Sequence, residues 1–142
     1  MKIDSDREIF IPIKDLGVKA YFCSMYNRKI PVNLDCGLDL IGEVLYGKWK
    51  MRLLHFINEG HNRPSELQRK IPGASRRVLN MQLKELEQHQ LIKKTIYPQV
   101  PPKVEYQLTK FGKTLIPVIS TLGKWGDKNQ TRLRRVILKE LK

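Results

Sequence analysis

Apolar residues recur along this chain first at helical spacing, then in alternation, then at helical spacing again. From residue 48, KWKMRLLHFINEG sets Trp49, Leu53, Leu54, Phe56 and Ile57 on one helix face, with Lys48, Lys50 and Arg52 outside. Gly60 falls where a helix C-cap is expected. A short helix opens at Arg63-Pro64-Ser65-Glu66-Leu67, where a first-turn proline has no amide to lose, and it turns Leu67 and Ile71 inward. Pro72-Gly73 ends it. Ser75 is an N-cap for the next helix, SRRVLNMQLKELEQHQ, anchored by Leu79, Leu83 and Leu86. Arg76, Arg77, Asn80, Met81 and Lys84 are left outside.

The period then falls to two. LIKKTIYP favours a strand, and KVEYQL alternates Val104, Tyr106 and Leu108 with Lys103, Glu105 and Gln107. The prolines of QVPP lack amide donors, so the two strands are expected to form a hairpin with a stiff tip. Helical spacing returns with Phe111, Leu115, Val118, Ile119 and Leu122; Thr109 is the expected N-cap, and Pro117 should bend the helix or remove one hydrogen bond. The tail TRLRRVILKELK can continue as a basic amphipathic helix. Upstream, Val32, Leu34, Leu38, Ile41 and Leu45 recur at roughly helical spacing, Cys36 falls inside that helix, and Gly47 is its expected stop. Residues 1–30 read as an arm, residues 31–126 as a domain, and residues 127–142 as a basic C-terminal helix or tail. The fold class is mainly α with a small β-hairpin wing: a winged helix-turn-helix.

Charge narrows the partner. Residues 1–47 carry 6 basic and 7 acidic side chains, whereas residues 48–142 carry 21 basic and 7 acidic, and the whole chain is +13. A basic body behind a near-neutral lead suggests a polyanion. The basic residues are not gathered on one amphipathic helix, and no apolar run of about 18 residues exists, so a membrane is not the expected partner. The N-terminus has no apolar signal core, and a cytoplasmic location is expected. Cys23 and Cys36 are too few and too far apart for a zinc finger, and His55, His61 and His89 show no metal-ligand spacing. No nucleophile–base pair, paired carboxylates or Gly-rich phosphate loop points to an enzyme, and no cofactor is expected.

These observations assign the helix-turn-helix side chains. Arg76 and Arg77 fall in the first turn of the recognition helix, where arginine can bridge guanine O6 and N7. Asn80, one turn on, suits adenine, and Lys84, another turn on, suits phosphate. Ser65 and Ser75 can donate hydrogen bonds to phosphate. Lys103 is placed for the minor groove or a phosphate, and Lys93 and Lys94 for the backbone. One recognition helix reads only a few base pairs, so a two-fold dimer is expected, with the apolar helices at residues 32–46 and 109–125 as its interface.

The motifs together resemble the HxlR-type, MarR-related bacterial transcription regulators over roughly residues 32–126. The resemblance rests on Gly47-Lys48-Trp49, Pro64-Ser65-Glu66-Leu67, the run at residues 79–87, VPP-x-VEY-x-LT at residues 100–109 and G-x-x-L-x-P-V at residues 112–118. It implies a winged-helix homodimer built from terminal helices, acting on palindromic operators, more often as a repressor. Some members of that family sense oxidants or electrophiles through a Cys-Pro pair before the first helix. Here Ile30-Pro31 stands in that place, and four residues, EVLY, are additional between Gly42 and Gly47. Two other readings remain beside the regulator: a thiol sensor using Cys36 or Cys23, against a buried inert cysteine, and a winged module for protein or RNA contact. A small-molecule effector is compatible with any of them.

Overall fold

The computed structural model describes residues 33–141, arranged as six helices and one two-stranded antiparallel sheet. The expected arm over residues 1–30, with Cys23, lies outside the described residues.

The first helix, α1, spans Gly37–Leu45 and is shorter than its apolar spacing predicts. Asn33 accepts the Asp35 amide on its Oδ1 at 3.0 Å, a local turn that competes with helix and delays its start. Cys36 therefore stands at the N-cap in extended backbone, not inside the helix, and its carbonyl accepts the Leu40 amide at 3.0 Å. It is partly exposed, so the buried-cysteine expectation does not hold either.

Helix α2, Lys50–Asn58, is the central element of the core, packed by helices α3 (Pro64–Lys70), α4 (Arg76–Gln88) and α5 (Lys110–Lys128) and by strand β2 (Lys103–Leu108). It buries Leu53, Leu54 and Ile57 as its spacing predicts. Lys50, expected outside, is only 2% exposed. Its ammonium pairs with Glu85 at 2.7 Å, so the helix turns this lysine onto α4 instead of into water. Gly60 ends the helix region with φ of +95°, a left-handed conformation that glycine adopts without a Cβ penalty.

Pro64 occupies the first turn of α3, and the Glu66 carboxylate accepts the Arg63 amide at 3.3 Å. The turn into α4 is held by Gln68, whose Nε2 donates to the Ala74 carbonyl at 2.7 Å. Ser75 caps α4 by accepting the Val78 amide at 3.2 Å. Leu53, Leu54, Leu67, Ile71, Leu83, Leu86, Leu91 and Ile92 are fully buried, and each contributes about 1.5–3 kcal/mol by leaving water.

Strand β1, Ile92–Tyr97, pairs with β2 from Ile92 opposite Leu108 to Tyr97 opposite Lys103, which puts residues 98–102 at the tip. Tyr106 is the buried side chain of β2, and its amide donates to the Asn62 carbonyl at 2.8 Å, fixing the hairpin to the loop before α3. Thr109 caps α5 by accepting the Gly112 amide at 2.9 Å. The helix runs on through Pro117, which supplies no amide to the carbonyl one turn back. It turns Ile119 into the core and leaves Phe111, Val118, Leu122 and Trp125 exposed. Asn129 separates it from α6, Gln130–Glu140, which exposes Val136, Ile137 and Leu138. No helix among the described residues is long and apolar enough to cross a membrane.

Candidate nucleic-acid interface

Helix α4 gains its orientation from its inward face. Leu79, Leu83 and Leu86 sink into the core, while Gln82 and Glu85 reach α2: the Trp49 amide donates to Gln82 Oε1 at 3.1 Å, beside the Lys50–Glu85 pair. The opposite face carries Arg76, Arg77, Asn80, Met81 and Lys84, all exposed. Residues 77, 81 and 84 share one stripe by helical spacing, and 76 and 80 share the next. Neither Arg76 nor Arg77 has a carboxylate partner among the described residues. Their guanidinium groups stand in solvent at the start of a helix whose own N-terminal dipole end is positive.

The hairpin tip leans toward the same end of α4. Arg63, Ser65, Arg76 and Lys103 line one cleft of about 320 Å³ together with Gln99, Pro101 and Pro102. Three of the expected site residues (Ser65, Arg76 and Lys103) are thus brought together by three separate elements. Lys103 is not a free cation. It donates to Glu105 at 2.8 Å and lies 5.0 Å from the centre of the Tyr97 ring. Glu105 also faces the Arg63 guanidinium at 3.9 Å. The hydrogen bond from Lys103 outweighs the cost of partial burial and, with the Tyr97 hydroxyl and Arg63, holds the Glu105 carboxyl below the usual carboxylate range. One carboxylate thus joins both strands of the wing to the start of α3.

The remaining expected residues lie elsewhere. Ser75 faces solvent, and its oxygen serves the α4 cap, which leaves its hydroxyl proton available. Lys93 and Lys94 are exposed at the base of the hairpin, outside the cleft. Arg63 was missed by sequence reasoning. Its only local signal is its place before Pro64, and its position in the cleft depends on the hairpin folding back. Among the described residues no group of His, Cys, Asp and Glu is arranged to hold a metal.

The family model described as HxlR-like helix-turn-helix matches residues 44–134. The HTH-type transcriptional regulator YdeP of Bacillus subtilis (strain 168) is 38% identical over 118 residues, which are 79% of this chain and 92% of YdeP. An HTH-type transcriptional regulator of Methanothermobacter thermautotrophicus is 42% identical over 112 residues, 79% of this chain and 76% of that protein. Among solved structures, the redox regulator HypR is similar in its reduced form, with a TM-score of 0.67 and 38% identity over 70% of this chain and 99% of that one. Its oxidised form gives a TM-score of 0.63 and 40% identity over 66% of this chain and 97% of that one.

Proposed function

The chain belongs to the HxlR-like helix-turn-helix family of transcription regulators, and on that premise we propose that it works as a homodimer reading a palindromic operator in duplex DNA, as a repressor. The observation that carries this reading is the solvent-facing row of α4. Arg76 and Arg77 stand unpaired at its first turn, where a recognition helix meets base edges. Arg77 bridges a guanine, Asn80 pairs with an adenine one turn on, and exposed Met81 offers an apolar contact to a thymine methyl. Ser65, Ser75, Lys84, Lys93, Lys94 and Lys103 serve phosphates and set the register without reading sequence.

The dimer is supported by uncovered apolar surface. Trp125 is 60% exposed, and Phe111, Val118 and Leu122 continue its stripe along α5, with Leu38 and Leu40 exposed on α1. That much exposed aromatic and aliphatic surface on a small domain fits a protein–protein contact. A two-fold pair presents two recognition helices to half-sites about one DNA turn apart, roughly 34–36 Å.

Footprinting on genomic fragments identifies the operator, and a shift assay on it tests the assignment. Arg77→Ala is expected to weaken specific binding by about 1–3 kcal/mol. An unchanged shift would remove Arg77 from the reading face. A second reading, a thiol switch, is favoured by the position of Cys36, partly exposed at the start of α1, and by likeness to HypR in reduced and oxidised forms. Slow thiol labelling of native protein, together with operator binding unchanged by diamide, would eliminate it.

A further inference from the structure

A duplex major groove is bordered by two phosphate strands, so a helix entering it has one strand on each side. The cleft of Arg63, Arg76 and Lys103 provides cations on the wing side of α4. A second, separate set gathers at the opposite end of α3 from that cleft, around Lys70. Lys48 lies 4.9 Å from the centre of the Trp49 ring. The Arg52 guanidinium is 5.5 Å from Trp49 and 5.6 Å from Phe56, and Lys70 is 6.0 Å from Phe56. Arg52 also donates from Nη2 to the Lys70 carbonyl at 3.3 Å, which joins α2 to the end of α3.

Three features make this set more than a solvated charge run. None of Lys48, Arg52 and Lys70 has a carboxylate partner among the described residues, so all three charges are uncompensated. The two aromatic rings stiffen them, which lowers the entropy lost when they bind a polyanion. The set is also registered to the recognition helix. The Trp49 ring packs on Gly73, two residues before the Ser75 cap, and the Trp49 amide is bonded to Gln82 of α4.

We propose that Lys48, Arg52 and Lys70 form a second phosphate-binding surface, which grips the DNA strand across the groove from the strand held at the wing. The proposal rests on the duplex-DNA reading above. The partner is the sugar–phosphate backbone, so this surface adds affinity without sequence preference, and each protomer holds both edges of the groove it reads. Lys48 and Lys70 carry the contact. Arg52, stacked between two rings, holds them in place.

The test is a salt titration of operator binding together with phosphate-ethylation interference. Lys48→Gln combined with Lys70→Gln is expected to lower affinity about tenfold at physiological salt and to make the log–log salt slope shallower by about 2 per bound protomer. Ethylation interference is expected to disappear on one strand of each half-site and persist on the other. Lys48→Arg with Lys70→Arg restores both, because charge and not chain shape is required. A control change far from the helix-turn-helix, Lys139→Gln, leaves the slope in place. The proposal is overturned if the glutamine variant keeps the wild-type slope and both interference sets, if the arginine variant fails to restore them, or if Lys139→Gln has the same effect. Arg77→Ala separates the two failures. If it weakens operator binding while the glutamine variant does nothing, only this surface is wrong. If wild-type protein shows no salt-dependent duplex binding and instead captures acidic peptides, the DNA reading fails with it.

Discussion

The Lys50–Glu85 pair tests how α4 is held, because it places a cation where the sequence pattern expects a solvated one. Glu85→Ala leaves the Lys50 ammonium, 3% exposed, without its counter-charge 2.7 Å away. Breaking a fully buried ion pair costs about 3–5 kcal/mol. Glu85 is itself 38% exposed, so water screens the pair and part of that cost is absent. We expect a loss of about 2 kcal/mol, which for a domain of this size lowers the melting temperature by roughly 5–15 °C. Lys50→Met removes the buried charge, keeps most of the stem's packing and leaves Glu85 partly solvated. It should cost about 1 kcal/mol or less, and adding it to Glu85→Ala should recover most of the loss. The assay is thermal and urea unfolding at one fixed protein concentration, since self-association would make the midpoint concentration-dependent. Glu85→Ala unfolding within about 0.5 kcal/mol of wild type, or Lys50→Met being the more damaging change, would show that the pair does not hold α4.

Three further outcomes are expected. Gly112→Ala should destabilise by about 2 kcal/mol or more, because a Cβ there would overlap the Leu91 carbonyl oxygen that also accepts the Thr109 amide; a stability gain from the better helix former would contradict the packing. His89 titrates below its ordinary value of 6.5, chiefly because burial disfavours the charged ring and then because Lys50 repels it. The unfolded chain therefore binds more protons, so this contribution is complete above about pH 6.5 and fades as pH falls below it; His89→Gln should flatten the melting temperature between pH 7.5 and 5.5, and an unaltered slope would rule out His89 as its source. Trp125→Lys places a charge in the exposed stripe of α5 and should halve the mass measured by sedimentation at micromolar concentration, whereas an unchanged dimer would move the interface elsewhere.

The helix-turn-helix was legible because its signals are local. Pro64, the Pro72-Gly73 turn, the Ser75 cap and the Leu79, Leu83, Leu86 spacing each act within a few residues, and each recurs in the structure. The hairpin was equally plain from its change of period and its proline tip. What the sequence did not reveal depends on long-range contact. Lys50 looked solvated because its partner Glu85 is 35 positions away, and the helix period alone placed it on the polar side. Lys103 looked free because a carboxylate two residues along a strand lies on the same face, which spacing permits but does not require. Arg63 reaches the cleft beside a long-range link, the Tyr106 amide bonded to the Asn62 carbonyl, which local spacing does not register. Cys36 was displaced from the helix by an asparagine turn that competes weakly and locally, a choice that apolar spacing does not register.

The most direct measurement compares operator with a scrambled duplex of the same length and ends, by equilibrium titration, for wild type and for Arg76→Ala combined with Arg77→Ala. Wild type should prefer the operator by about a thousandfold or more at physiological salt. The double variant should keep its fold and its weak affinity for any duplex and lose most of that preference. A double variant that discriminates as well as wild type would contradict the claim that the first turn of α4 reads the sequence.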